Sequence, residues 1–283
     1  MSRAAPTVSA LARELLLRPN TGPVTRFNAA VSPHRVVETR RFTEAEFDAV
    51  RGLVPGATVQ HAVLAVCGGA LRRYLSGLGE LPTTGSLSAQ VAAAGSGVAA
   101  RVAADRAQPG ADDRVITLGT DIADPLERLA SICQQAAAAP AGSVPLHLPL
   151  AACSLTELAG LAAPQFLCGA RLTYLSAVLP ISDGQGLAFA VSRHDGKLVI
   201  SPTSCRELMP DPEVFALCLR DSFQAYLAMS QSQALARKPV SRRRRAAVAG
   251  SVAIARRGQA LLQDPRRSKS SRSTARYSYP TGR

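Results

Sequence analysis

The sequence predicts an α+β protein in which a mixed β-sheet is covered by helices. Helical and strand-like patterns intermix along the chain, three strand-like runs follow one another between residues 170 and 204, and an amphipathic helix follows them. Elements distributed in this way favour a sheet with helices packed against it. No internal repeat is found, so a solenoid or a propeller is not expected.

The elements before residue 140 are predicted from periodicity and capping residues. Apolar spacing predicts one helix at 8–17 and another that begins at Thr58 and runs to about residue 79. Gly68-Gly69 within the second helix predicts close packing against another backbone. Thr43 and Glu46 form a capping box for a helix that ends near Leu53. Strands are predicted at 35–42, 86–94 and 114–121, followed by a helix from Asp124 and Pro125 to Ala139.

The rest of the chain is predicted to contain a group of strands and a final helix. Residues 140–164 are rich in Pro, Gly and Ala and receive no assignment. Strands are expected at 170–179, 186–193 and 197–204, with a tight turn at Asp195-Gly196-Lys197 between the last two. The final helix follows Pro210 and Asp211 and ends near Met229.

The charge of the chain is concentrated near its C-terminus. The 283 residues carry a formal charge of +13, but residues 1–235 contain 19 basic and 19 acidic side chains. Residues 236–283 contain 14 basic side chains and one acid, Asp264. We therefore expect an N-terminal helix and linker at 1–27, a domain at 28–235, and a basic, disordered tail at 236–283.

Composition also bears on location and redox chemistry. The sequence has no apolar run of about 18 residues and no pattern typical of a signal peptide, so we expect a cytoplasmic protein, peripheral to a membrane at most. Its six cysteines are widely spaced and have mostly apolar neighbours, which predicts buried free thiols rather than a metal site or disulfides.

Three blocks of sequence resemble the wax ester synthase/diacylglycerol acyltransferase family. Residues 57–82 resemble the family's helix that ends in A-L-R-x-Y-L and G-E-L-P, and residues 114–132 resemble its strand and D-P-x-x-R-L helix start. Residues 166–211 resemble its segment with G-A, P-x-S, G-x-G-L and a final P-D. All three blocks belong to the C-terminal half of that family.

The resemblance implies a fold and a reaction. It implies one half of the coenzyme A-dependent, chloramphenicol-acetyltransferase-like acyltransferase fold, in which two halves enclose a channel. The family transfers an acyl group from coenzyme A to diacylglycerol or a fatty alcohol, in triacylglycerol and wax ester synthesis. We therefore expect no bound cofactor, with acyl-coenzyme A as a co-substrate.

The family's general base is the second histidine of an H-H-x-x-x-D-G motif in the N-terminal half. The four histidines here, His34, His61, His147 and His194, are not adjacent to one another, so no catalytic residue is assigned. His194-Asp195-Gly196 lacks the family spacing and falls at the predicted turn, where Asp and Gly are expected for backbone reasons.

Gln60 and His61 are the substrate-channel candidates. They stand where the family has an Asn-Asp pair at the start of the long helix. A surface or core histidine is the alternative interpretation of His61. The family's V-P-x-S-x-R has also become VAAAGSG at 91–97, without its arginine and proline.

The basic tail contains candidates for binding an anionic surface: Arg242, Arg243, Arg244, Arg245, Arg256 and Arg257. An anionic membrane is the preferred partner, since each basic residue near a bilayer contributes about 1 kcal/mol. Nucleic acid is less favoured, because the tail has only two aromatic side chains for stacking. A solvated extension without a partner is the third interpretation.

Three functional hypotheses follow. The first is a C-terminal-domain-only relative that is inactive alone and either assembles with a full-length or N-terminal-half acyltransferase or is a degenerate remnant. The second is an active O-acyltransferase that uses a non-standard base, for which His61 is the candidate. The third is a non-enzymatic adaptor that binds anionic membrane or nucleic acid through its tail.

Overall fold

The computed structural model describes residues 22–91, 114–138, 151–158, 161 and 164–237. Its helices are α1 (Glu44–Arg51), α2 (Val59–Gly77), α3 (Pro125–Ala138) and α4 (Pro212–Arg237). The strands are β1 (Arg35–Val37), β2 (Arg40–Thr43), β3 (Ser88–Val91), β4 (Arg114–Thr117), β5 (Cys153–Leu158), β6 (Phe166–Leu167), β7 (Ala170–Arg171), β8 (Ala188–His194) and β9 (Lys197–Cys205).

The main sheet is mixed, as predicted. Its strand order is β1-β9-β8-β5-β3-β4, and β2 pairs with β9 beside β1. Strand β5 is parallel to both of its neighbours, whereas the other pairs are antiparallel. The predicted strand at 35–42 is present, but it is interrupted between Val37 and Arg40 and forms two short strands along β9.

The hairpin of β8 and β9 follows its local sequence. His194 pairs with Lys197, so the turn has two residues, Asp195 and Gly196, one fewer than the predicted tripeptide. Their φ angles are +51° and +69°, and this left-handed conformation suits Gly and is tolerated by Asp. The turn chemistry therefore fixes the register of the two longest strands.

Strand β5 lies in the stretch that the sequence left unassigned. It occupies the centre of the sheet between β3 and β8. Cys153, Leu155 and Thr156 are buried and the other three residues are half-buried, and apolar and polar residues alternate only from Cys153 to Thr156. Four residues are the lower limit of the alternation that identifies a half-exposed strand.

The predicted strand at 170–179 is wrong for most of its length. Only Ala170 and Arg171 are paired, in the small hairpin of β6 and β7. Residues 172–181 belong to no named strand. Several of their backbone groups bond to side chains of β8 and β9 instead of to a neighbouring backbone, as described below.

The predicted capping box begins α1, and a second capping box, which was not predicted, begins α2. At α1 the Glu46 amide donates to Thr43 Oγ1 (3.3 Å) and the Thr43 amide donates to Glu46 Oε2 (3.1 Å). At α2 Thr58 pairs in the same way with His61. The predicted helix after Asp124 is present as α3, and α4 continues eight residues beyond the predicted end at Met229.

Gly68 and Gly69 bring α2 close to other elements, as predicted. A Cβ atom on Gly68 would overlap the Leu118 carbonyl oxygen, and one on Gly69 would overlap the Ser222 hydroxyl and lie 2.8 Å from Arg128 Nη1. The absence of two side chains therefore lets α2 approach the end of β4 on one side and α4 on the other.

The main core lies between the sheet and the helices. Phe189 and Val191 of β8 and Leu198 and Ile200 of β9 pack there with buried residues from all four helices of the described part. Phe42, Phe47 and Phe223 form an aromatic cluster, with ring centroids 4.4–5.5 Å apart. Such pairs stabilise a core beyond the area that they bury.

The cysteines only partly match the prediction of buried thiols. Cys67, Cys153 and Cys205 are buried, Cys133 and Cys218 are half-buried, and Cys168 is exposed at the tip of the β6–β7 hairpin. The prediction is wrong for Cys168 because its apolar neighbour Leu167 is itself exposed.

The chain divides into two units, Met1–Gln233 and Ala234–Arg283. The domain boundaries predicted at 27/28 and 235/236 stay predictions. Within the described residues, none of the helices is long and apolar enough to cross a bilayer. The predicted helix at 8–17 and the arginine-rich tail lie outside the described residues.

Candidate functional site on the second face of the sheet

The two predicted channel residues lie in the first turn of α2. Gln60 and His61 are half-buried. His61 completes the capping box, because its amide donates to Thr58 Oγ1 (3.2 Å) and its Nδ1 accepts from the Thr58 amide (3.2 Å). This contact uses the basic nitrogen for helix capping, as a glutamate or glutamine does at the same position.

Partial burial lowers the pKa of His61 below 6.5, because the charged imidazolium loses hydration. The ring is therefore neutral at pH 7. The structure thus explains His61 as a half-buried capping residue, whereas the sequence had left a surface or core histidine as the alternative. A role of Gln60 or His61 in a channel stays a prediction.

We expect His61→Ala to lower the free energy of unfolding by about 0.5–1 kcal/mol, because one capping partner is lost. His61→Gln should restore this stability, since glutamine can reach back to the Thr58 amide. In wild type, stability should fall as the pH drops below 6.5 towards the folded pKa, because the unfolded chain then binds the extra proton. Urea denaturation between pH 5 and 8 measures both effects, and His61→Gln should flatten the pH dependence.

His194 ends β8 and holds a neighbouring segment in place. Its Nε2 lies 3.2 Å from the Leu172 carbonyl oxygen, and its Nδ1 is buried with no hydrogen-bond partner in the described part of the chain. His34 is exposed, 3.4 Å from a Glu207 carboxylate oxygen. The described histidines are thus engaged separately, and none is paired with another.

The second face of the β8–β9 hairpin carries small and polar side chains. Ala188, Ala190, Ser192 and His194 of β8 lie on it, since they alternate with the core residues Phe189 and Val191. From β9 come Val199, Ser201 and Thr203, which pair with β8 residues on the same face. All of these side chains are buried.

Residues 164–181, which we call the covering segment, lie over this second face. The Ser192 hydroxyl donates to the Leu175 carbonyl, and the Leu179 amide donates to Thr203 Oγ1 (3.3 Å). The Ser176 and Ser201 hydroxyls are 3.1 Å apart. Leu179 packs with Ala188 and Ala190, so polar contacts and a small apolar cluster together hold the segment.

The outer side of the covering segment exposes large apolar side chains. Phe166 is 63% exposed and Leu167 79%, and Tyr174 and Val178 are also exposed. Residue 161 is a further exposed leucine. Clusters of exposed apolar residues on folded domains mark interaction sites more often than scattered ones do. Sequence analysis missed this surface because it assigned most of the segment to a strand of the sheet.

Four of the described thiols are not activated as nucleophiles. Burial raises the pKa of Cys153 to about 12 and raises the pKa of Cys67 well above its usual value. Burial also raises the pKa values of the half-buried Cys133 and Cys218. A thiolate is the reactive form, so these four cysteines are structural at neutral pH.

A metal centre is also not indicated. In the residues that the structure describes, no group of three or more His, Cys, Asp or Glu side chains could hold a metal ion. The predicted tail candidates, from Arg242 to Arg257, lie outside the described residues, so anionic-surface binding by the tail stays a prediction. The candidate functional site in the described part is therefore the exposed apolar side of the covering segment.

Comparison with solved structures identifies the fold class. The wax ester synthase/diacylglycerol acyltransferase from Marinobacter aquaeolei VT8 matches with a TM-score of 0.61 and 20% identity, over 80% of this chain and 58% of that chain. The mixed sheet with its helices therefore has the chloramphenicol-acetyltransferase-like acyltransferase fold, as predicted.

Sequence comparison identifies the family. The model of the WS/DGAT C-terminal domain matches residues 131–226. A Mycobacterium tuberculosis protein named as a diacylglycerol O-acyltransferase is 30% identical over 217 residues, covering 67% of this chain and 47% of the relative. A second protein of that name and species is 26% identical, over 63% and 43%. The chain is therefore related to the wax ester synthase/diacylglycerol acyltransferase family, whose C-terminal domain model it matches. It spans about half the length of the curated relatives it matches.

Proposed function

We propose that this chain supplies the C-terminal half of an acyl-coenzyme A-dependent O-acyltransferase and needs a histidine-bearing domain to be active. The family resemblance supports the reaction class. The exposed apolar side of the covering segment carries the proposal, because it is where the described domain presents a surface suited to another domain.

The distribution of exposed apolar residues favours this surface over others. Of the ten large hydrophobic residues that are exposed in the described part, four lie in the covering segment and a fifth, Leu161, comes three residues before it. The four are Phe166, Leu167, Tyr174 and Val178. Aromatic residues are enriched at the centre of protein interfaces, where charged residues are depleted.

The chemistry explains the need for a second domain. An alcohol is a weak nucleophile towards a thioester, and a positioned general base typically contributes about 10²–10⁴-fold to the rate. Among the described residues, His61 caps a helix and His194 contacts the covering segment. The proposal therefore assigns the base to the partner domain.

The test is acyl transfer from labelled palmitoyl-coenzyme A to diolein. We expect no turnover above background by the full chain alone. Mixing it with the N-terminal half of the 30% identical mycobacterial relative should restore turnover, by about 10²-fold or more if the general base is supplied. Turnover by this chain alone, lost in both His61→Ala and His61→Gln, would instead support an active enzyme with His61 as base.

Variants of the covering segment test the surface. Val178→Ser should weaken association with the N-terminal half, and the pair Phe166→Ser with Leu167→Ser should weaken it at least about tenfold. Val24→Ser is the matched control, because Val24 is 70% exposed and Val178 63%. Stability should change little in all of them. Association that is equally strong in every variant, or absent in wild type, would contradict the proposed surface.

A further inference from the structure

Three arginines line one cleft between helices, on the other side of the domain core from the covering segment. The cleft has a volume of about 230 Å³. Arg72 and Arg73 come from α2 and Arg128 from the first turn of α3, and Ser222 and Tyr226 of α4 form the polar part of its wall. Nothing in the acyltransfer proposal uses these residues.

Arg128 is buried, and none of the described residues gives it an acidic partner. The residue is 3% exposed. Its Nε donates to the Gly119 carbonyl (3.0 Å), its Nη2 to the Ile122 carbonyl (2.6 Å), and its Nη1 lies 3.4 Å from the Tyr226 hydroxyl. Within the described ranges, no carboxylate oxygen lies within 4.0 Å of this guanidinium. A buried charge held by neutral groups alone is unusual, because burial normally requires a counter-charge.

The neighbouring charges leave the cleft positive. Arg72 Nη1 donates to the Thr120 carbonyl (2.7 Å), so it also has a neutral partner. Two carboxylates nearby are engaged elsewhere: Asp124 Oδ1 accepts from the Glu127 amide (2.8 Å), and Asp221 pairs with Arg220 (2.9 Å). Even if Asp124 neutralises one charge, three arginines leave an excess that matches a doubly charged anion.

We propose that this cleft binds a phosphate group. Guanidinium groups present planar pairs of N–H donors that match phosphate oxygens, and such charge-assisted hydrogen bonds are the stronger ones. Gly69 gives the site its room, because a side chain at that position would displace Arg128 Nη1 and Ser222. The buried Arg128 supplies fixed charge, and Arg72 and Arg73 supply donors nearer to solvent.

The inference is independent of the acyltransfer proposal, because it concerns binding and uses other residues. The same chemistry could come from a free diphosphate, from the nucleotide part of a coenzyme A thioester, or from a phospholipid headgroup. Pyrophosphate, coenzyme A and vesicles of phosphatidylcholine with 20% phosphatidic acid therefore serve as three separate probes.

The experiment is titration calorimetry of the full chain with pyrophosphate and coenzyme A in 0.15 M salt, with vesicle co-sedimentation as the third arm. The variants are Arg72→Gln, Arg73→Gln and their combination, with Arg51→Gln as the matched control, since Arg51 is an exposed arginine on α1. All variants keep the basic C-terminal segment, so any binding by that segment contributes equally to each and does not affect the differences between them.

We expect at least one probe to bind, and Arg73→Gln to weaken its affinity about tenfold, with a larger loss in the double variant and none in Arg51→Gln. The probe with the largest difference between wild type and the double variant identifies the source of the phosphate. The proposal is overturned if none of the three probes binds, or if the double variant binds each of them as wild type does.

Discussion

Replacing Gly68 by alanine is expected to lower the free energy of unfolding by about 2–3 kcal/mol. The new Cβ would meet the carbonyl oxygen of Leu118, which is backbone and cannot rotate away as a side chain can. Either α2 or the end of β4 must therefore shift. The loss exceeds the gain in helix propensity that alanine offers over glycine, which is about 1 kcal/mol.

Gly77→Ala is the control for this prediction. Gly77 ends the same helix, and a Cβ atom there would have nothing within 4 Å. Alanine should thus leave stability unchanged or raise it by at most about 1 kcal/mol. Urea denaturation followed by circular dichroism suits this chain, which has no tryptophan. Equal effects at the two glycines would contradict the close contact between α2 and Leu118.

Replacing Phe223 by alanine is expected to cost about 3–5 kcal/mol. Phe223 is fully buried on α4, with its ring centroid 4.4 Å from that of Phe42 and 4.9 Å from that of Phe47. The substitution removes apolar contacts with β2 and α1 at once and leaves a cavity between three elements. A loss of this size would consume much of the stability of a typical domain.

Leu217→Ala provides the comparison on the same helix. Leu217 is exposed, so its truncation should change the free energy of unfolding by less than about 1 kcal/mol. Phe223→Leu should fall between the two, since it keeps part of the buried volume. If Phe223→Ala and Leu217→Ala had similar effects, α4 would not pack against the sheet through the face described above.

The family relationship rests on the fold of the domain, whereas the proposed partner rests on one exposed surface of it. The C-terminal domain match and the acyltransferase fold describe how residues 131–226 and the surrounding sheet are built. The covering segment adds a surface whose apolar outer side is exposed in this domain. Loss of turnover and loss of association in its variants would connect that surface to the reaction of the family.

Elements that depend on neighbouring residues were predicted well from the sequence. The capping box predicted at Thr43 begins α1, because it uses side chains three residues apart. The helix predicted from Thr58 is α2, which begins there. The turn at Asp195 and Gly196 sets the β8–β9 register through its own backbone preferences. The Gly68-Gly69 pair predicted that this helix packs closely against another backbone, although the sequence could not show which elements would meet there.

The tertiary structure decided what depends on distant residues. Strand β5 pairs with strands more than 30 residues away on either side, and its own alternation of apolar and polar residues is only four residues long, so local sequence does not identify it. Residues 172–179 were predicted to lie in a strand, but side chains of Ser192, His194 and Thr203 take hydrogen bonds that a neighbouring strand would have supplied.

The sequence by itself determined the fold class, the family and the positions of most helices, because periodicity, capping and turn chemistry are local. It identified His61 as noteworthy, but only the folded chain shows that its Nδ1 accepts from the Thr58 amide. In the sequence, Arg72 and Arg73 are up to 56 positions from Arg128 and nothing connects them. Folding brings the three side chains to one cleft. Which side chains are buried, and which distant side chains meet, depends on packing between elements, so only the tertiary structure shows it.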